Sequence, residues 1–432
     1  MSLVPPTSLL PPEQMFSLQV GTKLFQISGY SLNSDSPNLF TDFFIENESA
    51  TLFIDRSPQV FKLIMDHLQG YSLNIENESQ FTFCFLDALY FKLPRLQDLI
   101  KNSEYHYVCV GGQHFKLAKT LLAQPGNSPN YFDMTCRSLF DDVRSVYLTM
   151  NLARPPPQSP PYVNRSPVFL SDLVTLLQGG VLDLTPERRQ SLIQECRYYR
   201  FLRLEQQLVP AQISWNPVLQ TEEVVLQLKD IKCKFVSIPL RSPDPSQEEE
   251  PTPKKRRLIS NISWTAVRYR RPYVDADLPR ARELIFQFCN SEATLFFIKN
   301  AKTIHVAISG QTLVRFRSVF QKVLAENKIN LNTYEKQNSL LVLPASLSLC
   351  CMRVNTVPCR NVSALVDEMH FNEQVLDFNN PNNINQLVPG LKLELTKSLW
   401  KLGISDNKLL MIAVKAEAIS GLKEYNKTLG YV

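Results

Sequence analysis

The sequence predicts an α+β protein: two similar N-terminal domains followed by a β-rich α+β C-terminal domain. Three observations predict it. Matched blocks of residues recur in the same order within the first half of the 432-residue chain. Inside each copy, strand alternation gives way to helical spacing. Beyond residue 211, short apolar or alternating runs dominate and one clear helix interrupts them.

The first block is a hairpin. Val20-Gly21-Thr22-Lys23-Leu24-Phe25-Gln26-Ile27 is answered ninety residues later by Val110-Gly111-Gly112-Gln113-His114-Phe115-Lys116-Leu117. Each follows an alternating segment and reads as strand, glycine turn, strand. Ser36-Pro37-Asn38 and Ser128-Pro129-Asn130 follow them. In the second block, Arg56-Ser57-Pro58 opens a run ending Leu68-Gln69-Gly70. Arg165-Ser166-Pro167 opens one ending Leu177-Gln178-Gly179, at an offset of 109, with six of sixteen positions identical. Serine suits the N-cap and proline the first helical position. Phe61, Ile64, Met65 and Leu68 mark one helical face, and Leu170, Leu173, Val174 and Leu177 mark its twin. A glycine stops each helix. The third block, at offset 108, matches Ala88, Phe91, Leu93 and Leu96 with Cys196, Tyr199, Phe201 and Leu204.

The jump in offset from 90 to 109 gives the second copy about nineteen extra residues before its Arg-Ser-Pro. They fall in a proline-rich stretch, expected to be a surface loop outside any sheet or helix. The expected organisation is therefore a disordered Pro-rich tail (1–16), a first domain (17–104) and a second domain (105–210) with a Pro-rich insertion at about 151–164. A C-terminal α+β domain (211–432) follows, with a disordered charged loop at 241–258.

Strand, Gly-Gly turn and strand, then Asp55-Arg56-Ser57-Pro58, an amphipathic helix ending Leu-Gln-Gly, and Ala88-x-Tyr90-Phe91-x-Leu93-x-x-Leu96 resemble the BTB/POZ fold. The resemblance is strongest to its potassium-channel tetramerisation subclass, and a tandem pair with a long tail is similar to a set of fungal proteins. It covers about residues 17–210. The copies depart from the pattern in turn: Thr22 stands for the second glycine, and Asn164 for Asp55. The resemblance implies a protein–protein interaction module that forms oligomers. It also implies that several members recruit cullin ubiquitin ligases or transcriptional co-regulators. Zinc bridges subunits in some channel members, but His106 and Cys109, three apart on a strand, face opposite sides. No metal set or cofactor is expected. No family resemblance is visible in 211–432.

Residues 241–258 mix proline, acidic and basic runs without apolar periodicity. Within them Pro253-Lys254-Lys255-Arg256-Arg257 resembles a nuclear-localisation signal, so Lys254, Lys255, Arg256 and Arg257 are the expected contacts of an import receptor. Thr252 and Ser242 each precede a proline and are candidate phosphorylation sites. Arg268-Tyr269-Arg270-Arg271-Pro272-Tyr273 is a basic, aromatic-interleaved patch, making Arg268, Arg270 and Arg271 candidate nucleic-acid contacts. The plainer reading is an amphipathic strand.

Enzyme classes are poorly supplied. Glycine is scarce, 13 of 432 residues, and no phosphate-cradling Gly motif occurs. There is no G-x-S-x-G or H-E-x-x-H, and none of the five histidines pairs at i, i+4. His67, beside the apolar face of its helix, reads as structural. No secretory or membrane-spanning pattern is visible, and the nine scattered cysteines read as reduced thiols. The formal net charge of +5 is local: residues 254–282 carry nine Lys/Arg against two Asp, which leaves the remainder at −2.

The expected protein is thus a non-enzymatic nuclear scaffold or adaptor, with some cytoplasmic population, that self-associates through its BTB/POZ-like domains. The alternative is a substrate adaptor of a cullin ubiquitin ligase with 211–432 as receptor, and a nucleic-acid-binding regulator ranks third. A phosphate on Thr252 would set up to about two negative charges beside four cations and weaken import. Thr252→Glu should then accumulate less in nuclei than Thr252→Ala; equal accumulation removes the idea.

Overall fold

The structure, a computed structural model, describes residues 10–239, 264–275, 281–289, 291–298, 303–336, 340–348, 350–359, 391–405, 407–420, 426 and 429–430. The chain divides into two compact units, Met1–Leu208 and Val209–Val432.

The N-terminal unit contains two segments with the same order of elements. The first runs β1 (Met15–Val20), β2 (Lys23–Ser28), α1 (Gly29–Asn33), α2 (Leu39–Glu46), β3 (Thr51–Ile54), α3 (Pro58–Leu68), α4 (Glu78–Tyr90) and α5 (Pro94–Lys101). The second runs β4 (Tyr105–Val110), β5 (Gln113–Ala118), α6 (Lys119–Leu122), α7 (Tyr131–Thr149), β6 (Tyr162–Val163), α8 (Pro167–Leu177), α9 (Pro186–Tyr199) and α10 (Leu202–Leu208). Each builds a three-stranded sheet, in the orders β2-β1-β3 and β5-β4-β6, with an antiparallel hairpin and a parallel third strand.

The turns differ as their sequences do. Gly111 and Gly112 both have positive φ (+54° and +87°), whereas only Gly21 does in the Gly21-Thr22 turn. A β-branched residue resists that region, so Thr22 restricts its turn to one left-handed position. Each third strand then hands its chain back to the turn: the N–H of Gly21 donates to Ile54 O and that of Gly111 to Val163 O.

Three expectations need correcting. Residues 10–16 are not a free tail: Leu10 and Phe16 are in the core and Met15 begins β1, because Leu10 bonds the Asn33 side chain through its backbone N–H and C=O. The insertion at 151–164 does join a sheet at Tyr162–Val163. Pro161 lacks a donor but keeps its carbonyl, which accepts from the Cys109 N–H. Ser57 and Ser166 stand at N-cap positions without capping through their side chains. The proline that follows each removes a donor, and Ser57 Oγ instead donates to Gln59 Oε1. At the other end, Gly70 (φ +83°) and Gly179 (φ +87°) sit just past the C-caps, where only a residue tolerant of the left-handed region turns the chain cheaply.

Among the side-chain caps of this unit, Asn38 and Asn130, both fully buried, close capping boxes with Thr41 and Asp133. Asp35 lies three residues before Asn38. It accepts from the backbone N–H groups of Arg95 and Leu96 and from His67 Nε2 at 2.9 Å, joining α3 to the start of α5. Burial pushes its carboxyl up, but the His67 and backbone hydrogen bonds outweigh burial and hold it below the ordinary carboxylate value. In the second segment Asn127 takes the same place, accepting from the N–H groups of Arg203 and Leu204, and Leu176 stands at the position of His67. A neutral cap needs no imidazole partner, so both residues changed together.

The second unit is β-rich. β7 (Gln212–Asn216) and β8 (Thr221–Gln227) form a hairpin, followed by β9 (Val236–Ser237), β10 (Thr265–Ala266), β11 (Arg268–Tyr269), β12 (Arg282–Phe288), β13 (Ala293–Ile298) and β14 (Thr303–Ile308). Then come α11 (Gly310–Glu326), β15 (Glu335–Lys336), β16 (Leu340–Ser346), β17 (Cys351–Val354), β18 (Val357–Cys359), β19 (Leu391–Ser405) and β20 (Lys408–Ile419). Hydrogen bonds run β13-β14-β16-β20-β19 and back to β13, closing a ring of five strands. Closure leaves none of those five as a bare edge along its whole length. α11 lays Phe316 and Phe320 against Phe286 of β12. Its arginines are engaged: Arg315 donates to the carbonyls of Leu228 and Ile231, and Arg317 pairs with Glu335.

The exchange at positions 35 and 67 gives a stability test. A depressed carboxyl stabilises the fold above the unfolded value of about 3.9, and that stabilisation is lost as pH falls through the lower folded value. Asp35→Asn should cost roughly 1–3 kcal/mol at neutral pH by leaving His67 without its acceptor. Asp35→Asn with His67→Leu should recover a large part of it in urea melts.

Candidate interaction sites

The two N-terminal segments meet through α4 of the first and β4 with α7 of the second. Phe81 stacks on Tyr107 with ring centroids 5.0 Å apart, and Phe140 meets Phe81 and Phe85 edge-on at 5.8 and 4.7 Å. Leu139, Phe140 and Val143 of α7 are thereby part of the first segment's core. Burying rings of this size is worth roughly 2–3 kcal/mol each, so the junction is a stable one. The sequence carries its signal. β1, Met-Phe-Ser-Leu-Gln-Val, sets polar Ser17 and Gln19 between its inward residues; β4, Tyr-His-Tyr-Val-Cys-Val, keeps the same inward set but places Tyr107 and Cys109 at the matching outward positions. Phe81 likewise departs from its counterpart at offset 108, Arg189, and Tyr107 from its counterpart at offset 90, Ser17.

Beside the rings lies a polar cluster. Glu78 opens α4 and is buried, and its Oε2 lies 2.9 Å from Nδ1 of His114 on β5. His114 is directly opposite Cys109 of β4. Glu78, Cys109 and His114 bring three ligand atoms within 4.8 Å of one another, the one such group among the described residues. His106, expected to diverge from Cys109, does so: it bonds Asp133 at 3.1 Å and Cys136 at 3.3 Å.

The row in the first segment that matches His114, Cys109 and Tyr162 is Leu24, Gln19 and Phe53, joined across β2, β1 and β3. Leu24 and Phe53 are exposed, Phe53 by 76%. An open sheet face with two large apolar side chains is a candidate docking surface.

Each segment also holds an arginine clamp. Arg56 pairs with Asp87 at 3.4 Å and lies 4.3 Å from the Tyr90 ring; Arg165 pairs with Glu195 at 3.1 Å and lies 4.1 Å from the Tyr198 ring. Burial pushes Asp87 up to about 6, with Arg56 pulling against it. Burial also pushes the Cys84 thiol up to about 12, Cys136 to about 11 and Cys350 to about 12, which makes them poor nucleophiles.

The sequence-derived sites fare differently. Lys254, Lys255, Arg256, Arg257, Thr252 and Ser242 lie outside the described residues, as does the 241–258 loop. Arg268 is half-buried in β11, Arg270 is exposed and Arg271 is half-buried. Both tyrosines of this stretch, Tyr269 and Tyr273, pack edge-on against Phe235. Tyr269 is buried and its hydroxyl accepts from the Lys232 N–H. Tyr269 at 5% exposure is packed in the core rather than open to a stacking base. In the C-terminal unit, Lys401 is buried and its Nζ lies 2.6 Å from Glu223 and 2.7 Å from Glu283. Burial lowers its pKa, but the two carboxylates outweigh burial and raise it.

Comparison with known proteins covers the whole chain. Residues 221–429 match the family described as the YLR108C C-terminal domain, so the half without a visible resemblance has relatives of its own. The Saccharomyces cerevisiae protein YDR132C is 37% identical, covering 98% of this chain and 96% of that protein. The BTB/POZ domain-containing protein YLR108C of the same yeast is 39% identical, again over 98% of this chain and 96% of its own length. Identity of this order over both lengths shows that the chain belongs to the family of this BTB/POZ domain-containing protein.

Proposed function

We propose that this protein is a non-enzymatic scaffold that works in the nucleus and self-associates through two BTB/POZ-like segments. The observation that carries the reading is the pairing of α4 against a sheet face within one chain, while the matching face of the first segment stays open with Leu24 and Phe53 exposed. A surface of the same geometry with two large apolar side chains suits a protein partner, here a second copy. Family membership supports protein interaction in general. The nuclear part rests on the basic run at residues 254–257.

Two measurements test this. Light scattering of the full chain should give a mass above 49.5 kDa that falls to the monomer in Leu24→Lys/Phe53→Lys. A strict monomer for the parent chain would sink self-association. Replacing Lys254, Lys255, Arg256 and Arg257 by alanine should spread the protein into the cytoplasm; unchanged nuclear accumulation removes the import signal. Co-purification with a cullin would favour the substrate-adaptor reading instead.

A further inference from the structure

The junction of the two N-terminal segments holds a ligand set that the repeated pattern does not require. Cys109 and His114 project from directly opposed positions of the β4–β5 hairpin, and Glu78 reaches the same point from the first residue of α4. Their ligand atoms lie within 4.8 Å of one another, with 2.9 Å between the Glu78 carboxylate and His114 Nδ1. Glu78 is 5% exposed, so its carboxyl depends on partners supplied by the protein or by a bound ion, His114 being one. The matching positions elsewhere are Gln19 and Leu24 in the first segment and Pro186 in the second. Leucine and proline offer no side-chain ligand, so among the described residues the set occurs once, at a junction of the two segments.

We propose that Glu78, Cys109 and His114 form a zinc-binding site that clamps the first segment to the second. The donors are one thiolate, one imidazole and one carboxylate, the mixture that zinc accepts in tetrahedral sites. Thiolate and carboxylate together balance a divalent charge, leaving a neutral centre at a half-buried junction. Bonds of about 2.0–2.3 Å separate tetrahedral donors by roughly 3.3–3.6 Å, within the reach of this set by side-chain torsion. Three protein ligands leave a fourth position for water. A bound ion takes the place of the proton between His114 and Glu78 and adds Cys109, which the ion-free pair does not use. Because the ligands come from both segments, binding stabilises the junction by mass action.

The test is a cobalt and zinc titration of the reduced, chelator-treated full chain. One equivalent of Co²⁺ should give a thiolate-to-cobalt charge-transfer band that Zn²⁺ displaces. Cys109→Ser should abolish the band while keeping the His114–Glu78 pair. Glu78→Gln and His114→Ala should weaken binding by at least about tenfold. His114 is largely exposed, so His114→Ala tests the site without disturbing the core. Cys136→Ser, which removes the neighbouring thiol bonded to His106, should keep the band, so that its loss in Cys109→Ser assigns the thiolate to Cys109. Zn²⁺ should raise the melting temperature of the parent chain and not of His114→Ala. A chain that gives no cobalt band, or a band that survives Cys109→Ser, overturns the site.

Discussion

Each N-terminal segment depends on an arginine that closes its weakest joint. The third strand of each sheet is parallel to the first and short, four residues in β3 and two in β6. A parallel strand has no hairpin to fix its register, and so few ladder bonds do not hold it alone. The residue two positions beyond it is Arg56 or Arg165, and each grips a carboxylate and a tyrosine ring on the long helix that follows, α4 or α9. The clamp joins strand end, helix start and core helix at one point. It tolerates Asp87 in one copy and Glu195 in the other because arginine's fork adapts to either length. Asp87 remains costly to ionise even so, since burial outweighs a single partner at 3.4 Å.

Where the copies differ, they differ in matched pairs. Asp35 with His67 is replaced by Asn127 with Leu176, so a buried charge and its partner leave together. At the junction, Phe81 and Tyr107 meet, while Arg189 and Ser17 occupy the matching positions on the outer faces. The contact is heterologous, one face of the fold against a different face of its twin, an arrangement that would propagate if every copy kept both halves. Loss of the aromatic halves at the outer ends stops that particular contact at two segments. Any further association has to use other chemistry, such as the exposed Leu24 and Phe53.

In the second unit, closure and charge burial share the work. The ring β13-β14-β16-β20-β19 depends on the long β19 and β20, whose span lets one strand pair with several neighbours in turn. Lys401 sits on β19 between Glu223 of β8 and Glu283 of β12, linking the ring to the outlying hairpin. Removing one of these charges would strand the others in a poorly solvated place. Arg315 acts similarly for α11, tying its first turns to carbonyls that no strand satisfies.

Local sequence determined most of the elements. Hairpins were legible from glycine turns between alternating residues, α3 and α8 from Pro at their starts and apolar spacing, and β12, β13, β14 and β19 from short apolar or alternating runs. These are properties of a few neighbouring residues, and a single strand or helix is enough to read them. The basic run at 254–257 is likewise a property of sequence alone. Only the tertiary structure decided what each surface meets. Cys109 and His114 read as residues on two strands, and their alignment with Glu78 exists because Phe81 and Phe140 pack the segments in one register. Tyr269 read as one ring of a basic, aromatic-interleaved patch or of an amphipathic strand, and the fold brings Phe235 and the Lys232 N–H to it. Contacts between distant segments depend on which apolar faces find each other, and local periodicity records that a face is apolar without recording its partner.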